Sequence, residues 1–145
     1  MLISKNKTIH FIGIGGIGMS AIAHVLLEKG YKVNGTDLKE NLNTIKLKEY
    51  GARIFLGHKE SNLREADIVV VSSAIPEDNI EYSYAKREKM QIYKRAEMLG
   101  FLMSLYEKKI AVTGTHGKTT TSAIIAKVLE AQDKDPTYLI GANRV

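Results

Sequence analysis

The chain predicts an α/β fold, a Rossmann-like parallel sheet with helices on both faces, from three observations: strand-like and helix-like segments alternate, one segment is apolar without interruption, and two glycine-rich turns each join a strand to a helix. The turns read GIGGIGMS at 13–20 and TGTHGKTTTS at 113–122. The second one opens a further unit, a strand, phosphate loop and helix belonging to a second α/β domain.

Each element has its own reason. Ile9, Phe11 and Ile12 make a strand near 8–13, and the following helix, 17–29, puts Ile22, Ala23, Val25, Leu26 and Leu27 on its buried side. A strand over 31–37, a helix over 41–50 and a strand over 52–56 follow. Segment 66–73 is the clearest central strand, because Ile68, Val69, Val70 and Val71 run without a polar residue, as a strand covered on both faces does. After Pro76 closes a turn, 79–90 reads as a polar-faced helix and 91–94 as a short strand. Segment 95–106 is a helix burying Met98, Leu99, Leu102, Met103 and Leu105 as core filler. Arg95 starts that helix and is assigned no ligand. The charged Glu107, Lys108 and Lys109 mark the only clear boundary, giving a first domain over 1–107 and the opening of a second over 108–145. In the second, Ile110, Ala111 and Val112 read as a strand. Helix 119–131 carries Ile124, Ile125, Val128 and Leu129 on one face.

Composition narrows the function. With 145 residues and 44% hydrophobic content the chain can bury one sizeable core and a fragment of another. No run reaches the roughly 18 apolar residues of a membrane span, and Lys5, Asn6, Lys7 and His10 interrupt any signal-peptide core, so a cytoplasmic location is expected. Absence of cysteine excludes disulfides and thiolate chemistry. The histidines at 10, 24, 58 and 116 lack metal-ligand spacing, which points to structural or ligand-edge roles. The net charge of +5 comes from bases interleaved with acids, as in Lys86, Arg87, Glu88 and Lys89, the pattern of a solvated helix face rather than of a nucleic-acid surface. A modest positive excess suits anionic, phosphorylated ligands.

The turns say which ligands. In the second, glycines let backbone N–H groups converge on phosphate oxygens, Lys118 adds a mobile charge, and the Thr119 hydroxyl can reach Mg2+; ATP is the natural guest. The spacing departs from G-x-x-x-x-G-K-[ST], since Val112 stands five before Gly117 and the extra glycine is Gly114. The first turn, Gly13-x-Gly15-x-x-Gly18, has the spacing of a dinucleotide-binding turn. Asp37 ends the next strand, where it can hold a ribose hydroxyl or simply cap the strand. By itself this turn says nucleotide or nucleotide-sugar. An NAD(P)-dependent oxidoreductase, a non-catalytic nucleotide-binding module and a nucleic-acid-associated P-loop protein remain alternatives, none of which uses both turns as economically.

The series HFIGIGGIGMSAIA, GTDL, GH, SSAIPEDN, RAEML, IAVTGTHGKTTT and DPTYLIG, spread over essentially the whole chain, resembles the N-terminal portion of the Mur ligases. Within that family it is most similar to the branch that joins L-alanine to UDP-N-acetylmuramate, with the branch that recycles murein tripeptide as the nearest rival. The resemblance implies a three-domain, ATP- and Mg2+-dependent ligase of peptidoglycan synthesis, in which the first domain grips the UDP-sugar, the second ATP, and a third the amino acid. It assigns Gly114, Thr115, His116, Gly117, Lys118, Thr119 and Thr120 to the ATP loop, with Lys118 catalytic on the phosphates and Thr119 near the metal. The diphosphate falls to the backbone amides of Ile14, Gly15, Gly16, Ile17 and Gly18, and uridine to Asp37, His58 and Ser72. UDP-N-acetylmuramate, ATP and L-alanine are the expected small-molecule partners, with no nucleic acid and no membrane. This stretch alone is expected to bind the UDP-sugar without turnover. The segment from Ile110 onward is expected to dock on the first domain, pair with a second copy or move freely.

Overall fold

The computed structural model describes residues 2–140. Gly141 of the DPTYLIG segment and the end of the 108–145 unit lie outside the described residues. Five strands, β1 Thr8–Ile12, β2 Lys32–Asp37, β3 Arg53–Leu56, β4 Ile68–Val71 and β5 Gln91–Lys94, form one parallel sheet in the order β3-β2-β1-β4-β5. Strand β1 sits at the centre, and the chain runs outward from it first on one side and then on the other. The crevice above the β1/β4 pair is therefore the switch point where open α/β sheets take their ligands.

Alternation along the strands decides what each face holds. Ile9, Phe11, Ile68 and Val70 point into a core shared with helices α1 Ile17–Glu28, α2 Leu42–Glu49 and α4 Arg95–Ser104. Ile12, Val69 and Val71 point the other way, against helix α3 Ile80–Arg87 and a short 3-10 turn, Glu60–Leu63. Register pairs His10 with Asn34 and Ile12 with Thr36, so His10, Asn34 and Thr36 share this second face and are buried there. The 3-10 turn has no periodic signal in the sequence; it exists because Leu63 plugs the second core.

Two helices are capped by the side chain of their own N-cap residue. Asn41 accepts hydrogen bonds from the Asn43 and Thr44 amides at the head of α2, and Thr44 Oγ1 accepts from Asn41 N; Asn79 accepts from the Glu81 and Tyr82 amides at the head of α3. Helix α1 is different: its N-cap is Gly16, which brings no capping side chain.

Three expectations need correction. Leu105 is 37% exposed rather than core, because α4 ends at Ser104; Phe101 takes the buried place instead, edge-on to Tyr31 with ring centres 5.8 Å apart. Residues 110–112 form no strand, and Ile110 is 62% exposed. A strand exists only through hydrogen bonds to a neighbour, and no second sheet is present among the described residues to supply one. Helix α5, Lys118–Glu130, forms as expected, yet Ile124 and Val128 are about half exposed, so its apolar residues do not share one buried face. The chain after α5 returns to the unit built on the sheet, where Tyr106 Oη donates to Thr137 Oγ1 (2.9 Å) and Leu139 packs on the main core.

Candidate functional site

The first glycine turn begins with Gly13 at φ 80°, a left-handed conformation that turns the chain sharply off β1. Gly13 N and Ile14 N donate to Thr36 O (2.8 and 3.0 Å), Gly15 N to Asp37 Oδ2 (2.8 Å) and Gly16 N to Gly13 O (3.3 Å). Three of the five amides assigned to a diphosphate, those of Ile14, Gly15 and Gly16, thus have partners inside the chain. The Ile17, Gly18 and Met19 amides, the first turn of α1, have none among the described residues. Unpaired N–H groups at a helix start, with the dipole behind them, favour an anion.

Asp37 splits its carboxylate between Gly15 N and Leu38 N, at 2.8 Å each, so it fastens the turn to the end of β2. Asn43 Nδ2 and Asn41 Nδ2 donate to Gly15 O (2.9 and 3.3 Å), a clamp from the head of α2 that sequence reasoning missed because its partner lies 26 to 28 residues away. Across the crevice Ser72 lies beside Gly13: a Cβ there would sit 3.4 Å from Ser72 Cβ. Arg95, assigned no ligand from sequence, lies over Gly18, its Cδ and Nη1 3.3 Å from where a Cβ would stand. Its guanidinium has no acidic partner among the described residues, and it reinforces the positive potential of the α1 start.

Beside the turn lies a buried polar cluster. Glu81, fully buried, accepts from Thr36 Oγ1 (2.6 Å), His58 Nδ1 (2.7 Å), Asn62 Nδ2 (2.7 Å) and Lys59 N (3.3 Å). His10 Nε2 lies 2.8 Å from Thr36 Oγ1, and Nδ1 lies 2.8 Å from the Asn34 side-chain oxygen. Thr36 has one hydroxyl proton and gives it to Glu81, so His10 Nε2–H donates to Thr36. Burial lowers the His10 pKa from 6.5 to about 4, outweighing the nearby Glu81 charge and the Asn34 hydrogen bond. Nδ1 faces the Asn34 side chain, so both ring nitrogens are engaged within the buried cluster.

This histidine makes stability pH-dependent. Its folded pKa lies below the unfolded value, so between about pH 6.5 and 4 the unfolded chain binds more protons. The contribution is complete above 6.5 and falls away on acidification, by about 3 kcal/mol in all at about 1.4 kcal/mol per unit. Urea denaturation at pH 7, 5 and 4 should show that loss in the wild type and a shallower slope in His10→Gln. Equal slopes would remove His10 from the account.

In the second turn Gly117 (φ 77°) and Gly114 (φ 151°) give the loop its curl, and Lys118 begins α5. Lys118 Nζ donates to Gly114 O (2.5 Å) and Thr115 O (3.4 Å), arching over the loop that it would share with phosphates. Thr115, His116, Thr119 and Thr120 are exposed around it. Among the described residues no group of three His, Cys, Asp or Glu could hold a metal; Thr119 offers a single hydroxyl, enough only alongside phosphate oxygens. No hydrogen bond or ion pair among the described residues joins this loop to the first turn, so the structure brings Gly13, Asp37, His58 and Ser72 together and leaves the 113–120 loop separate. No described helix is long and apolar enough to cross a membrane.

Comparison with known proteins decides the family: the sequence model described as "Mur ligase family, catalytic domain" matches residues 8–107, well over half of the chain. The chain belongs to the Mur ligase family. Mur ligases similar to it include the UDP-N-acetylmuramate--L-alanine ligases of Aquifex aeolicus, 52% identical over 141 residues, and Clostridium acetobutylicum, 50% identical over 138 residues. These alignments cover 97% and 95% of this chain but 31% and 30% of those proteins, so the chain spans about three-tenths of the relatives it matches. Among solved Mur ligases, the UDP-N-acetylmuramate-alanine ligase of Thermotoga maritima superposes with a TM-score of 0.86 at 38% identity, covering 94% of this chain and 32% of that one. A murein peptide ligase of Psychrobacter arcticus follows at 0.81 and 29%, covering 88% and 27%.

Proposed function

We propose that this chain supplies the UDP-sugar site and the ATP loop of a cytoplasmic UDP-N-acetylmuramate:L-alanine ligase. The observation that carries the reading is the uncapped start of α1, with its three unpaired amides under Arg95, at the β1/β4 switch of a chain about half identical to alanine ligases. The diphosphate would lie on the Ile17 and Gly18 amides, with the Ile14, Gly15 and Gly16 stretch shaping the turn beneath it. The uridine would extend toward Asp37 and His58, with Ser72 on the opposite wall.

In the reaction, the substrate carboxylate takes the γ-phosphoryl group of ATP, and the amine of L-alanine then displaces phosphate to form the amide. Backbone donors of the 114–120 loop and the Lys118 ammonium would stabilise the charge that builds on the transferring oxygens. Lys118 can do so by leaving the carbonyls of Gly114 and Thr115 for phosphate oxygens, a short movement of an exposed side chain. Mg2+, held through the Thr119 hydroxyl and the triphosphate itself, would supply further charge neutralisation. The exposed Ile110, Ile124 and Val128 offer the surface through which two copies of the chain would pair.

Calorimetric titration tests the reading. UDP-N-acetylmuramate should bind more tightly than UDP, and NAD not at all; binding of NAD with indifference to both uridine compounds would overturn it.

A further inference from the structure

Four hydrogen bonds converge on the buried Glu81 carboxylate, yet neither glycine turn requires it. An ionised carboxylate in a fully buried place is costly unless every lone pair is used, and here four donors from three segments use them: Thr36 from β2, His58 and Lys59 from the loop after β3, and Asn62 from the 3-10 turn. Asn62 Nδ2 also donates to Gly57 O (3.0 Å), and Gly57 N to Asp37 O (2.8 Å). The loop carrying His58 is thereby tied to the end of β2, the same end whose Thr36 carbonyl holds the Gly13 and Ile14 amides.

We infer that Glu81 is a positioning residue for the nucleoside end of the ligand: it holds His58 by Nδ1 and so presents Nε2 to the crevice. A carboxylate oxygen 2.7 Å from Nδ1 accepts its proton, so Nδ1–H donates to Glu81. Nε2 has no protein partner among the described residues and is not a fully buried atom, which leaves it free to contact a ligand. In the neutral ring it is an acceptor, suited to a donor such as a ribose hydroxyl or the imide N–H of a pyrimidine. Thr36 couples the two halves of the site, its hydroxyl serving Glu81 and its carbonyl serving the glycine turn. The inference rests on the uridine reading above.

Glu81→Gln tests it, because the isosteric amide cannot accept from all four donors. An amide NH2 facing His58 forces the ring to accept at Nδ1 and carry its proton at Nε2, reversing what the crevice meets. Titration of the chain with UDP should show about a tenfold loss of affinity in Glu81→Gln, a similar loss in His58→Ala, and no further loss in the double variant. Unchanged affinity in Glu81→Gln, or losses that multiply in the double variant, would overturn the inference. Ring 15N NMR of the wild type provides a reading that needs no variant and no ligand: the neutral His58 ring should be the Nδ1–H tautomer, and a ring sampling both tautomers would overturn the anchor whatever the chain binds. A wild type that keeps this tautomer but binds no uridine compound would overturn the ligase reading and leave Glu81 as the anchor of the loop alone.

Discussion

Gly35→Ala is expected to destabilise the chain by about 3 kcal/mol, the upper end of what one inserted methyl costs in a packed interior. A Cβ at this position would stand 2.6 Å from Phe11 O, 2.7 Å from Ile14 Cδ1 and 2.9 Å from Ile14 Cβ. Neither neighbour can give way cheaply: Phe11 belongs to the central strand and pairs with Gly35, and Ile14 is fully buried under the glycine turn. Because Ile14 N is bonded to Thr36 O, any retreat of Ile14 also moves the first glycine turn. Urea denaturation measures the loss, and Gly100→Ala is the internal control. Gly100 lies exposed within α4 with nothing within 4 Å of a would-be Cβ, so alanine there should stabilise by about 0.5–1 kcal/mol through helix propensity alone. Equal effects at the two glycines would mean that the close approach of β1 and β2 is not what Gly35 permits.

Gly18→Asp should separate binding from stability. Its Cβ meets only Arg95 Cδ and Nη1 at 3.3 Å, the far end of an exposed side chain that can shift by a few tenths of an ångström. A carboxylate in the first turn of α1 meets the positive end of the helix and an unpaired guanidinium, a stabilising arrangement of about 0.3–1 kcal/mol. The same carboxylate occupies the place assigned to the diphosphate, and like charges in a confined site repel strongly. Affinity for UDP-N-acetylmuramate should fall at least 100-fold, by about 3 kcal/mol, while the thermal midpoint holds or rises. Retained binding would place the diphosphate elsewhere. Lost binding together with a lowered midpoint would show that Gly18 is needed for folding instead.

Much of this fold was legible because its signals are local. The apolar run of β4, the periodicity of α1 and the two glycine turns each lie within a dozen or so neighbouring residues. The failed strand at 110–112 shows the limit of local reading: Ile110, Ala111 and Val112 have the right composition, but a ladder needs a partner strand, and composition does not provide one. Leu105 was misplaced for a related reason, since the helical period continues in sequence beyond the point where α4 stops.

The candidate site divides along the same line. Gly13, Gly15 and Gly18, Asp37 and the 114–120 loop could be named from spacing, because a phosphate-binding turn is built from consecutive backbone groups and a strand end about twenty residues on. Glu81, Asn43 and Arg95 could not. Each reads as an ordinary helix-start residue, and each reaches the site only because a parallel sheet gathers the carboxyl ends of its strands and the helix starts that follow them along one edge. Strand alternation settles which face His10, Asn34 and Thr36 occupy, but the carboxylate that makes their burial tolerable arrives from forty-five residues beyond Thr36. Chain order thus specifies the glycine turns, whose geometry is backbone and local, whereas packing alone specifies the charged and polar side chains around them, whose partners are distant in sequence and adjacent only in space.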